Sequence, residues 1–468
     1  MAIRAAYVAD MDMNKITSDF NLLGADKHEV NSAADTIFAL SSGTGRAGVA
    51  VIRISGAKAG PIVTAIAGAL PLARHAAYRT LRCPLRGEVL DRGLVLWFPR
   101  PASFSGEDMA EFHVHGGLAI VDAVLSAIAT VSGVRPAAAG EFTRRAFENG
   151  KLDLSEAEGI ADLVNAETQA QRAQAVLQAG GALRARYERW RSDLISAMAL
   201  VETGLDFADE ADVPDEALAL ARPIVEGLAR ELGEALADDR RGEILREGVH
   251  VAILGAPNAG KSSLLNALAR RDAAIVSDEP GTTRDVIDVK LDLDGFPFIL
   301  SDTAGLREAT SPVEREGIRR AQARARDADL VLHLRDLTAD GDNVLTAIPP
   351  EKVITVWTKA DLAHRAAGGL RTSTVTGEGL DRLQAELVAR ARHIIGLGEP
   401  ALITRARHRH DIEAAVAALR RFLGQPAKEP ELLAEDLRLA ATALGRLTGH
   451  VDVEDVLGKL FSDFCIGK

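Results

Sequence analysis

The sequence predicts a multidomain chain: an N-terminal α+β domain, a discontinuous helical domain, and an α/β phosphate-loop domain inserted into the helical one. Three observations predict it. At 468 residues the chain is too long for one core, and about three domains is the expectation. A glycine-rich turn stands between the apolar run Val251–Leu254 and a helical stretch beginning near Lys261. Helical periodicity lies on both sides of that segment. The expected divisions are a disordered extension over 1–34, an α+β domain over 35–152, helical parts over 153–248 and 391–468, and the inserted domain over 249–390.

Composition narrows the class. Hydrophobic residues make up 47% of the chain and charged residues 26%, the balance of a folded chain. Two cysteines, Cys83 and Cys465, are too few for a disulfide scaffold and point to a reducing, cytoplasmic compartment. No apolar run approaches the roughly 18 residues of a membrane span. Met1–Gly24 intersperses Asp and Lys where a signal peptide would be apolar. A net charge of −12 argues against wholesale coating of nucleic acid, although a local basic patch on an acidic protein still grips RNA. Residues 1–34 have no clean period, and Met11 and Met13 are internal alternative starts.

From Asp35 the pattern is αβ. Val49–Gly56 is a β-rich run closed by Ser-Gly, and Gly87–Phe98 reads as two strands around an Asp91-Arg92-Gly93 turn. His113 and His115 alternate along one strand face, as metal ligands do, but no third Cys or His stands nearby; a structural or substrate hydrogen-bonding role is expected. By composition alone Arg53, Glu111 and Lys151 are ordinary surface residues. From Asp153 the pattern turns helical. Leu183, Tyr187, Trp190, Leu194 and Met198 recur at three- and four-residue steps, a core stripe on a long helix. Arg184, Arg186, Arg189 and Arg191 decorate that helix as solvated surface or as an RNA contact. Asp206–Asp215 is an acidic break, and helix resumes from Glu216 to about Leu245.

The inserted domain carries five elements in fixed order. Gly255-Ala256-Pro257-Asn258-Ala259-Gly260-Lys261-Ser262-Ser263 is a phosphate-binding loop: glycines let backbone N–H groups turn inward, Lys261 reaches the β- and γ-phosphates, and the Ser262 hydroxyl ligates Mg²⁺. Ser277-Asp278-Glu279-Pro280-Gly281-Thr282-Thr283 then brings a threonine to the γ-phosphate and Mg²⁺. Asp302-Thr303-Ala304-Gly305 holds the Mg²⁺ shell and senses the γ-phosphate. Thr358-Lys359-Ala360-Asp361 follows a buried strand; Asp361 accepts both N–H groups on the guanine edge, which selects GTP over ATP. Ser373-Thr374 presents a backbone N–H to the guanine O6. The expected ligands are GTP or GDP with Mg²⁺.

This order resembles the Ras-like, translation-factor-related GTPases, and Pro257-Asn258-Ala259 with Gly-Thr-Thr-Arg-Asp and Asp-Thr-Ala-Gly-Leu-Arg resembles their potassium-dependent branch. Leu306 stands where small GTPases carry the water-positioning glutamine. The run Arg46–Gly56, the His-Gly-Gly and Asn-Gly-Lys-Leu-Asp-Leu stretches and the ending Phe464-Cys465-Ile466-Gly467-Lys468 extend the likeness. Over residues 35–468 the chain resembles the bacterial MnmE (TrmE) family of tRNA-modification GTPases. That resemblance implies a 5-formyltetrahydrofolate-type cofactor contacted by Arg53, Glu111, Lys151 and Lys468. It implies K⁺ held by Asn258 with Ser277, Glu279 and Thr282, attack by a water that Glu314 orients, and a modification role for Cys465. It also implies a homodimer whose inserted domains pair in GTP and K⁺. With an FAD- and NADH-using partner of the MnmG (GidA) type, such a protein adds an aminomethyl or carboxymethylaminomethyl group at C5 of the wobble uridine of certain tRNAs.

Two departures stand out. Thr358 replaces the Asn that opens the base motif, keeping a hydroxyl and losing an amide, so guanine specificity is expected to persist with weaker binding. Thr374 replaces a common Ala, although the backbone N–H needed there survives. The competing classes are a ribosome-assembly GTPase, which calls for a KH-like module or tandem nucleotide domains, and a non-catalytic switch or scaffold, which calls for negligible GTP turnover.

Overall fold

A computed structural model of the chain describes residues 35–206, 213–238, 240–256, 258–271, 288–302, 323–338, 348–362, 368–396, 401–425, 430–451, 454–462, 464, 466 and 467. These form two compact units. The first runs to Asn149 and includes tail residues 466 and 467; the second runs from Gly150 to Phe464.

The first unit is built on a sheet of β1 (Thr36–Leu40), β2 (Ala47–Ser55), β3 (Ala77–Arg82), β4 (Val89–Phe98), β5 (Met109–Gly116) and β6 (Val134–Pro136), in the order β3-β4-β5-β2-β1-β6. All neighbours are antiparallel except β1 and β6. Side chains alternate across a pleated strand. In β2 this sends Ala50, Ile52 and Ile54 into a core shared with the helices Ala59–Ala67 and Leu118–Ala129, and puts Arg53 on the opposite face. The tail adds to this unit: Ile466 bridges to Ala139, and the Ser41 hydroxyl donates to the Gly467 carbonyl at 2.8 Å.

One expectation is corrected here. Asp91-Arg92-Gly93 is no turn; it lies inside the continuous strand β4. A Cβ on Gly93 would fall 2.1 Å from the His113 carbonyl, so the glycine serves close strand approach and not reversal. The chain reverses earlier, where Cys83 and Gly87 close the loop through a 2.8 Å hydrogen bond and Gly87 takes a φ of 70°.

In the second unit, the helices Ala182–Asp206, Val213–Leu236, Ala406–Gly424 and Pro430–Thr448 bury one apolar core. Leu183, Tyr187, Trp190 and Leu194 lie inside it and Met198 packs at its edge. Burying each such large side chain stabilises by about 1.5–3 kcal/mol. The arginines of this helix meet partners within the chain: Arg184 faces Glu156, Arg189 Glu231 and Arg191 Glu188, while the Arg186 guanidinium lies over the Trp190 ring. Among the described residues no helix is long and apolar enough to cross a membrane.

The second sheet comprises β7 (Val249–Gly255), β8 (Asp288–Leu293), β9 (Phe296–Asp302), β10 (Leu330–Asp336), β11 (Val353–Thr358) and β12 (Leu370–Arg371), in the order β12-β11-β10-β7-β9-β8. All pairings are parallel except β8 with β9. The chain leaves β7 toward β9 on one side and later returns to β10 on the other. The strand order therefore reverses between β7 and β10, and ligands bind at the carboxyl ends of strands at such a point. Helix Leu380–Ile395 runs past residue 390, the expected end of the inserted domain, because its apolar face continues: Ala391 and Ile395 join the same core as Leu380.

A buried charge cluster ties the helical stretch before the insertion to the one after it. Glu158 of helix Leu154–Val164 accepts from Arg407 at 2.9 Å and from His408 at 2.8 Å, with Arg405 at 3.3 Å. Asp162, one turn on, accepts from Arg405 at 2.8 Å and from Arg246 at 3.1 Å, just ahead of β7.

Candidate functional site

The phosphate loop leaves β7 at the point where the strand order reverses. A Cβ on Gly255 would sit 2.7 Å from the Leu334 carbonyl of β10, so the loop presses on the neighbouring strand in a way only glycine allows. Asn258 and Gly260 take φ of 64° and 89°, the left-handed turns that curl the loop. Ala259 is buried, and helix Lys261–Arg271 is anchored by Leu264, Leu265 and Leu268 in the core. Its amino end faces the loop, where orphan backbone N–H groups and the helix dipole favour an anion. The Lys261 ammonium donates at 2.9 Å to both the Gly255 and the Ala256 carbonyls. Ser262 and Ser263 are exposed at the first turn of the helix. Asp302 ends β9 directly opposite Ile253, which brings it to the same end of the sheet as the loop.

The segment expected to recognise the base reaches this loop from β11. The buried Thr358 hydroxyl donates to the Ala259 carbonyl at 2.8 Å, with the Arg335 carbonyl at 3.3 Å. Lys359, at a φ of 60°, donates through its ammonium to Asp336 at 2.6 Å. The Ala360 N–H donates to the Thr372 carbonyl at 3.1 Å, and Asp361 is exposed immediately after. The loop that follows β12 is therefore fastened to the same segment. Ser373 within it is fully buried, with its hydroxyl accepting from the Val375 and Thr376 N–H groups, and Thr374 is exposed. Thr358 is thus brought beside Ala259 and Gly260 at one end of the sheet. Lys359, Ala360 and Asp361 follow it in the chain, and the Ser373–Thr374 loop is fastened to Ala360 through Thr372. Pro257, Ser277, Asp278, Glu279, Pro280, Gly281, Thr282, Thr283, Thr303, Ala304, Gly305 and Glu314 lie outside the described residues.

In the first unit, β2 and β5 pair Arg53 directly against Glu111. The guanidinium donates to the carboxylate at 3.0 and 3.1 Å, and it lies 5.5 Å from the Phe104 ring centre and 5.8 Å from that of Phe142. Burial raises the Glu111 pKa, but hydrogen bonds from His113 and Arg53 outweigh it and hold the carboxyl below its usual range. The neighbouring Asp91 engages His115 at 2.9 Å. The pair stands in front of a second polar network: buried Arg145 donates to Glu107 and Glu141, and Glu107 accepts from Ser55 at 2.7 Å. Lys151 is exposed in the second unit, and Cys465 and Lys468 lie outside the described residues.

Sequence reasoning missed Asp336, Phe142 and Arg145. Asp336 had a signal: a carboxylate closing the buried run Leu330–Leu334 at the ligand-binding end of a parallel strand. Phe142 and Arg145 had none, because only the packing of helix Glu141–Glu148 brings them behind Arg53 and Glu107.

Comparison with known proteins covers nearly the whole chain. The model described as the MnmE helical domain matches residues 154–465, and the model described as the GTP-binding protein TrmE N-terminus matches residues 36–151. The tRNA modification GTPase MnmE of Rhodospirillum rubrum is 53% identical over 456 residues, covering 93% of this chain and 99% of the relative. That of Maricaulis maris is 52% identical over 440 residues, covering 92% and 99%. That of Rhodopseudomonas palustris is 51% identical over 446 residues, again covering 92% and 99%.

Proposed function

The chain belongs to the MnmE family of tRNA modification GTPases, and from that premise we propose that it hydrolyses GTP in the service of wobble-uridine modification. The observation that carries the reading is the Thr358–Ala259 hydrogen bond, which fastens the segment expected to bind guanine to the loop expected to bind phosphate. Lys261 exchanges the Gly255 and Ala256 carbonyls for the β- and γ-phosphates, and the helix amino end adds backbone N–H donors. Asp361 accepts from the guanine edge, and the Ser373–Thr374 loop donates to O6.

Ser262 and Thr283 would ligate Mg²⁺, with Asp302, at the end of β9, holding the ion's shell indirectly. The ion supplies neutralisation of charge on the phosphate oxygens. Asn258, at a φ of 64° in the loop, would hold K⁺ together with Ser277, Glu279 and Thr282, and a monovalent cation there would offset developing charge as an arginine finger does. Glu314 orients the attacking water, a task Leu306 has no polar group to perform.

In the first unit, the Arg53 guanidinium lies near the Phe104 and Phe142 rings and is paired with the Glu111 carboxylate, a combination of cation, carboxylate and aromatic surface suited to the flat, polar ring of a tetrahydrofolate. Lys151 and Lys468 are its remaining expected contacts, and Cys465 serves the modification step. The protein acts as a homodimer with an FAD- and NADH-dependent partner, and GTP hydrolysis drives rearrangement of the inserted domains.

Nucleoside analysis of bulk tRNA from a deletion strain tests the reading. Loss of the C5-modified wobble uridine, restored by the wild-type chain, supports it; unchanged modification refutes it. GTP turnover in K⁺ against Na⁺ tests the cation site separately, with equal rates removing K⁺ from the account.

A further inference from the structure

We propose that Asp336 is the positioning residue of the guanine-recognition segment, holding Lys359 so that the loop carrying Asp361 is set before nucleotide arrives. The proposal rests on the guanine-nucleotide reading above. Asp336 is the last residue of β10, opposite Thr358 in the ladder and beside the point where the strand order reverses. Both of its carboxylate oxygens are engaged. Oδ1 accepts the Thr338 N–H at 2.8 Å and its hydroxyl at 2.7 Å, and Oδ2 accepts the Lys359 ammonium at 2.6 Å. A carboxylate used at both oxygens has no freedom to rotate.

Three consecutive residues are therefore pinned by three different elements. The phosphate loop holds Thr358, β10 holds Lys359 through Asp336, and the residue after β12 holds Ala360. The next residue, Asp361, is exposed. Lys359 needs its anchor most, because its φ of 60° lies in the left-handed region that side-chain-bearing residues avoid. Asp336 is the better shielded partner, 13% exposed against 33% for Lys359. Burial raises its pKa, but the Lys359 and Thr338 hydrogen bonds prevail and keep the carboxyl below its usual range, so the anchor stays charged. Asp336 lies outside the base motif itself, and its contribution is to where Asp361 stands.

The test uses the full-length chain with GDP and with inosine diphosphate, which lacks the amino group that Asp361 accepts. Asp336→Ala is expected to weaken GDP binding about tenfold, the size of a lost charge-assisted contact, and to weaken the inosine nucleotide less, so that discrimination falls. In GTP turnover the loss falls on KM and not on kcat, the signature of lost uniform binding. In a double-mutant cycle, Asp336→Ala on a Lys359→Met background is expected to add nothing further. Asp336→Asn, which keeps the volume, carries the same comparison where the alanine variant melts early. Wild-type GDP affinity in the Asp336 variants, or single effects that multiply in the double variant, overturns the proposal. A wild-type chain that binds GDP no better than the inosine nucleotide overturns the guanine reading itself, and the proposal with it.

Discussion

The Thr358 hydroxyl and the Ala259 carbonyl, 99 residues apart in sequence, meet at 2.8 Å in a buried hydrogen bond. The amide that usually ties base loop to phosphate loop is absent here, yet the tie is made. A β-branched residue at the end of β11 has its hydroxyl directed by the strand, and the register between β10 and β11 brings that hydroxyl within reach of the loop.

Replacing Thr358 by Val keeps the shape and removes the donor, leaving a buried carbonyl without it. The expected cost is about 1–2 kcal/mol, or roughly tenfold weaker GDP binding in a fluorescence titration. Thr358→Asn is expected to tighten binding, but by no more than about threefold, because the hydroxyl already does part of the amide's work.

Glu111→Ala removes the carboxylate that orients Arg53 near the Phe104 and Phe142 rings. Calorimetric titration with 5-formyltetrahydrofolate is expected to show at least about tenfold weaker binding than wild type, the scale of a lost charge-assisted pair. Unchanged affinity would remove this pair from the cofactor site.

Acid should loosen the second unit at its charge cluster. Burial raises the Glu158 pKa, but Arg407, His408 and Arg405 far outweigh it and hold the carboxyl well below its ordinary 4.5. A depressed carboxylate contributes stability in full above its unfolded pKa and loses it as pH falls toward the folded one. Burial also holds the His408 imidazole below its ordinary 6.5, so the unfolded chain takes up that proton first. Thermal melts should therefore show stability declining from about pH 6.5 and more steeply below about pH 4.5. Glu158→Gln, which leaves the arginines without their counter-charge, should cost about 3–5 kcal/mol at neutral pH and flatten the acid limb.

Gly93→Val tests the corrected reading of β4. The new Cβ would meet the His113 carbonyl of β5 at 2.1 Å, and a backbone atom has little room to give. Denaturant unfolding of the variant should show a loss of at least about 2–3 kcal/mol, where a turn glycine replaced in open loop would lose far less.

The contrast between Gly93 and Gly255 explains how far the sequence could be read. Gly255 announced itself through a spacing, because a phosphate loop is made by contiguous backbone and its residues stay together in the chain. Gly93 sat in a pattern shared by turns and by closely packed strands, and only the strand beside it distinguishes the two. The helical stripe from Leu183 to Met198 was legible for the same local reason: its period belongs to one helix, and the core it faces demands nothing else of the sequence.

By itself, then, the sequence determined the elements whose pattern is local: the glycine-rich turn between strand and helix, the buried strands and the amphipathic helices. Tertiary structure decided the pairs. Arg53 became a partner of Glu111 through the register of β2 and β5, Thr358 of Ala259 and Asp336 of Lys359 through the order of the second sheet, and Gly467 of Ser41 through the packing of the tail. Hydrogen bonds and ion pairs act over a few ångströms, whereas the residues that make them are set together by strand crossings and helix packing that no spacing in the chain records.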